Sequence, residues 1–182
     1  SAWRAFSFFL IAVPIQRGPY FYYTRQEKDL QYPMYARKFA ASRAALTEAK
    51  EEIILDVNAL AAGDDYLSTT DIRPSDDQRL LAYLENRHGT DSYTLYIKDL
   101  ETGTLLDDVI PNVYIYGSVE WSSCGHYLFY VTINDQQRPY QLWRHQIGTA
   151  LTEDVLLYEE QDVTFSLYVA KSQSSAFIFV IS

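Results

Sequence analysis

The chain has 182 residues, 48% hydrophobic and 15% aromatic, and its 15 Lys and Arg stand against 24 Asp and Glu for a formal charge of −9. That length and apolar content support a folded domain with a sizeable core and exclude a disordered chain. The acidic balance repels phosphate backbones and anionic lipid, so neither nucleic acid nor an acidic membrane is an expected partner.

The first element, Arg4 followed by the apolar run Phe6 to Val13, has the charged-then-apolar order of a signal peptide. It is too short to span a bilayer and lacks a small-x-small cleavage site. Pro14 ends it in a turn, so residues 1–12 read as a divergent or appended lead-in and 13–182 as a β domain. Next come "PYFYYTR", "YPMYARKF" and "EEIILDVNAL", whose aromatic and β-branched content favours strands. The intervening "AASRAALTEAKEE", residues 40–52, has helical propensity. Because strand-like segments flank it, it is expected to be a loop insertion with at most a short helix.

From Ser75 onward the chain repeats itself. "SDDQRLLAYLENRHGTDSYTLYIKDLETG", "SSCGHYLFYVTINDQQRPYQLWRHQIGT" and "SQSSAFIFVIS" begin near Ser75, Ser122 and Ser172, a period of about 50 residues. Each opens on a small polar turn and enters an apolar strand, Leu80 to Leu84, Tyr127 to Ile133 or Phe177 to Ile181. A polar loop and a second strand follow, closed by Gly103 or Gly148. The segments "DDVIP", "GSVEWS", "EDVLLYEE" and "TFSLYVAKS" supply further strands. Four short strands per period is the signature of a propeller blade. The expected fold is therefore all-β, a partial β-propeller of about three to four four-stranded antiparallel blades. "HYLFYVTI" is apolar on both alternating sets, as in a strand covered on both faces, whereas "SYTLYIKDL" alternates in a way a sandwich also tolerates.

Candidate chemistry is sparse. No G-x-S-x-G elbow occurs, and Ser118 lies in strand-like sequence with nothing placing a base beside it. Cys124 and His126 are two apart in a tight turn, whereas catalytic Cys and His are usually remote in sequence. His88, His126 and His145 fit no metal-ligand spacing, and the Asp pairs 64–65, 76–77 and 107–108 read as turn residues. Glu159, Glu160 and Asp162 form an acidic patch that reads as a solvated strand end. No catalytic residue, metal or cofactor is expected in this chain. The lone Cys124 can form no internal disulfide, which favours the cytoplasm, with the periplasm as the alternative.

The segments from Val13 to Ile181, above all Arg138-Pro139-Tyr140, His145, Gly148-Thr149 and Glu159-Glu160-x-Asp162 in that order and spacing, resemble the oligopeptidase B branch of the prolyl oligopeptidase family of serine peptidases. The resemblance implies a seven-bladed propeller covering an α/β-hydrolase domain that cleaves short peptides after Lys or Arg. It places the triad downstream, leaving a propeller portion without catalytic residues. The family's Asp-Gly turns are here Asp77-Gln78, Cys124-Gly125 and Ser174-Ser175, and loss of Gly is expected to leave their geometry less well determined. The expected partners are the hydrolase domain and, through it, short basic peptides; an open arc of blades also invites self-association. The alternative is a non-catalytic β-repeat module that binds a protein or peptide.

Overall fold

A computed structural model describes residues 10–182, which fall into two compact units, one ending at Asp65 and the other beginning at Tyr66. In the first, β1 (Leu10–Ile11), β2 (Ile15–Arg17), β3 (Tyr20–Gln26), β4 (Met34–Phe39) and β5 (Glu51–Asp56) form an antiparallel sheet. Its order is β1-β3-β4-β5, with β2 also on β3. Alternation buries Phe21 and Tyr23 from β3 and Met34 and Ala36 from β4. Buried Arg37 is satisfied by a two-pronged contact with Glu52 at 2.8 and 3.0 Å and lies 4.2 Å over the Tyr20 ring.

The Ala-rich insertion forms only a 3-10 turn, Arg43–Thr47, because so short a helical segment cannot outweigh the sheet pairing on either side. The strand reading of "EEIILDVNAL" holds only to Asp56. There the carboxylate accepts the amides of Asn58 and Ala59 at 2.9 and 3.3 Å and caps the helical turn α1 (Val57–Leu60).

The second unit begins with β6 (Ser68–Pro74), β7 (Leu80–Asn86), β8 (Ser92–Asp99) and β9 (Leu105–Tyr114), paired antiparallel in sequence order. A second set repeats the pattern: β10 (Val119–Trp121), β11 (Tyr127–Ile133), β12 (Pro139–Gln146) and β13 (Val155–Glu159). Strands β14 (Tyr168–Lys171) and β15 (Ile178–Ile181) open a third. The first two sheets touch along the backbone at one pair, Thr132 against Val113.

The cores lie between sheets. Leu84, Leu95, Ile97 and Ile110 of the first pack against Val119, Trp121, Leu128 and Tyr130 of the second. Val131 and Leu142 of the second pack against Leu167 and Val169 of the third. Strands with both faces covered explain why β7 is buried almost throughout.

The three turns leading into β7, β11 and β15 share one geometry. Ser75, Ser122 and Ser172 each donate their amide to the carbonyl five residues on, at 2.9 Å, and each hydroxyl accepts that residue's amide at 2.9 to 3.1 Å. The fourth residue is left-handed in all three: Gln78 at φ 65°, Gly125 at 71° and Ser175 at 58°. Loss of glycine therefore does not blur these turns. Four hydrogen-bonding groups fix the loop, and that outweighs the modest cost of a side chain at positive φ.

The reading of the Asp107–Asp108 pair as a turn is corrected. Both residues lie within β9, where Asp108 shares the inward face with Leu106 and Ile110 and is 6% exposed.

Candidate functional site

The first strands of the three sheets converge. The Trp121 indole on β10 reaches the Arg73 carbonyl on β6, and the Val169 amide on β14 donates to the Gly117 carbonyl just before β10 at 2.9 Å. Charged side chains gather along this convergence. Arg73 lies 3.4 Å from Asp71 and 3.5 Å from Glu120, and Lys171 bonds Asp76 at 2.8 Å. Asp71 sits at a bulge with φ 48°, and its second carboxylate oxygen accepts the Ser118 amide at 3.4 Å. Burial pushes the Asp71 carboxyl above the usual carboxylate range, partly offset by the Arg73 guanidinium. The result is a polar wall whose charges are largely matched within it. The Arg73–Glu120 and Lys171–Asp76 pairs went unread in the sequence because their members lie tens of residues apart, and Asp76 was legible there only as a turn residue.

Ser118 is fully buried and its hydroxyl donates to the Tyr114 carbonyl, so it closes the β9–β10 connection. Cys124 is exposed, at the turn position that Asp77 and Ser174 fill in the sister turns. The Ser122 hydroxyl 3.3 Å away, then the His126 backbone amide, holds its thiol below the usual value. Cys124 and His126 line a cleft of about 440 Å³ with Asp77, Arg79 and Gln146. His88 is exposed on the β7–β8 turn, where its amide donates to the Asn86 side chain at 2.6 Å. Among the described residues no group of His, Cys, Asp and Glu is arranged to hold a metal ion, and no helix is long and apolar enough to cross a membrane.

The acidic patch is an organised loop. Glu160 accepts the Ser182 hydroxyl at 2.6 Å and the Asp162 amide at 2.9 Å, which hold its carboxyl below the usual range. Arg138 spans the base of this loop, donating to the carbonyls of Glu160, Asp162 and Phe165 at 3.0 to 3.1 Å. Its guanidinium lies 5.4 Å over the Tyr140 ring. The Arg-Pro-Tyr motif thus shapes the β13–β14 loop.

Successive four-stranded antiparallel sheets, with converging first strands and cores between neighbours, define an open β-propeller segment. The chain matches the prolyl oligopeptidase N-terminal β-propeller domain over residues 7–182 and belongs to that family. It is 60% identical over 170 residues to Protease 2 of Moraxella lacunata, covering 93% of this chain and 25% of that protein. It is 35% identical over 180 residues to dipeptidyl aminopeptidase BI of Pseudoxanthomonas mexicana, covering 93% of this chain and 25% of that protein. Oligopeptidase B from Leishmania major superposes with a TM-score of 0.86 at 30% identity, over 93% of this chain and 23% of that structure. The chain thus spans about a quarter of the length of these two curated relatives.

Proposed function

We propose that this chain is the early propeller portion of a serine oligopeptidase that hydrolyses short peptides after Lys or Arg, and that it acts as a size filter and docking surface for a hydrolase domain. The observation that carries the reading is the 60% identity to Protease 2 over 93% of the chain. The fold is compatible with it, because converging first strands with a polar, internally paired wall can border a passage that admits an extended peptide and turns away a folded one. The triad belongs, on this reading, to the hydrolase domain. The cytoplasm is its proposed compartment, consistent with a single exposed cysteine.

The test is the full-length protein, assayed on short peptides with Lys, Arg or a neutral residue before the scissile bond, and on a folded protein bearing the same basic site. Cleavage of the basic peptides alone, with the folded substrate spared, is the expected result. Equal cleavage of neutral peptides would overturn the specificity, and rapid cleavage of the folded protein would overturn the filter.

A further inference from the structure

His145 is fully buried, and both of its ring nitrogens face carboxylates: Nδ1 lies 2.7 Å from Asp154 Oδ1, and Nε2 lies 2.8 Å from Asp108 Oδ1. Each carboxylate has a further donor. The Gly148 amide donates to Asp108 Oδ1 at 2.6 Å, and the Tyr130 hydroxyl donates to Asp154 Oδ2 at 2.6 Å. Burial and the neighbouring Asp154 push the Tyr130 hydroxyl far up, so it stays a donor. A neutral imidazole has one N–H and one bare lone pair, and a lone pair set 2.7 or 2.8 Å from a carboxylate oxygen is repelled.

We propose that His145 is a doubly protonated imidazolium held between ionised Asp108 and Asp154, and that this buried ionic pin locks two neighbouring blades together. Tyr130, His145, Gly148 and Asp154 all come from the β10–β13 sheet and its turns, whereas Asp108 comes from β9 of the sheet before it. The pin thus crosses a seam that the backbone bridges at a single pair. Both ring nitrogens donate, both carboxylates accept, and the Tyr130 and Gly148 donors absorb part of the excess negative charge. The assignment concerns only the fold of this chain and stands apart from the peptidase reading.

Two measurements on the full-length protein test it. Neutron diffraction from a deuterated crystal should show deuterium on both Nδ1 and Nε2. A single deuterium on the ring, with the other on a carboxyl oxygen, overturns the proposal, and this readout needs no variant. In hydrogen-exchange mass spectrometry, His145→Gln leaves two carboxylates facing each other without a cation. Exchange in peptides spanning residues 105–114 and 139–154 should rise about a hundred-fold. Adding Asp108→Asn and Asp154→Asn to that variant should restore at least about ten-fold of the lost protection, because the charges are then gone. Failure of this rescue, or an unchanged seam in His145→Gln, points to packing alone and overturns the pin.

Discussion

The indole N–H of Trp121 donates to the Arg73 backbone carbonyl at 2.8 Å, tying the first strands of two successive sheets across 48 residues of sequence. Trp121 is 1% exposed, so its indole N–H depends on this carbonyl for a partner. Trp121→Phe, which keeps most of the bulk and leaves no unpaired donor, should cost about 0.5–1.5 kcal/mol through the lost hydrogen bond. Trp121→Ala should cost about 3–5 kcal/mol by adding a cavity. Urea unfolding measures both, and a Phe variant as stable as the parent would show that the bond contributes nothing.

The shared turn predicts opposite signs at equivalent positions. At Gly125 an added Cβ meets its nearest neighbour, Asp77, at an ordinary 3.8 Å, so Gly125→Ala pays only for its φ of 71°, about 1–2 kcal/mol. Gln78→Gly relieves the same strain at φ 65° and should be neutral or stabilising by up to about 1 kcal/mol. Thermal melts should fall for Gly125→Ala and hold or rise for Gln78→Gly, and a fall in both would remove strain as the cause.

Buried Glu85 predicts a pH dependence. Burial raises its carboxyl above the usual range even with Arg87 at 2.7 Å. A carboxyl whose folded-state pKa is raised favours the fold only while protonated. Its contribution is complete below the unfolded value of about 4.3 and is lost as pH rises through the folded value. Glu85→Gln carries no charge at any pH, so its stability relative to the parent should improve from pH 4 towards pH 7. Parallel melts across that range test the sign, and a flat difference refutes it.

Exposed apolar surface predicts association of the isolated chain. Leu156, Leu157 and Tyr158 of β13 are 40–45% exposed, and Phe177, Phe179 and Ile181 on and beside β15 are 48–65% exposed. Contiguous apolar surface of this kind rarely stays uncovered in a monomer. Light scattering on the order of ten micromolar should show oligomers. A clean monomer there would mean that these side chains fold back in solution.

The purified chain alone should neither cleave Lys- or Arg-containing peptides nor react with a serine-directed fluorophosphonate, since the one serine singled out, Ser118, has its hydroxyl bonded to the Tyr114 carbonyl. The full-length protein should do both. Stoichiometric labelling of the chain, abolished by changing one of its own serines, would falsify this.

The blade repeat was legible because it is local: a serine-led polar turn, an apolar strand, a polar loop and a second strand recur within a short window. The Asp108–His145–Asp154 cluster was not, because its members come from β9, β12 and the turn before β13 and meet only after two sheets pack. One signal was available. In "LLDDVIP" Asp108 shares parity with Leu106 and Ile110, which marks a charge on the inward face, yet the adjacent Asp107 made the pair look like a turn. Arg138 was noticed as part of a motif, but its task required the β13–β14 loop to curl back over it.

Within each sheet the strands are held by ladders of backbone bonds that tolerate almost any side chain, whereas the seam between the first two sheets has the single Thr132–Val113 pair. Blade identity is thus written in main chain and blade order in side chains. A lineage could duplicate or exchange whole blades without relearning how to make one, and selection would then act on a handful of seam residues to decide which blades become neighbours.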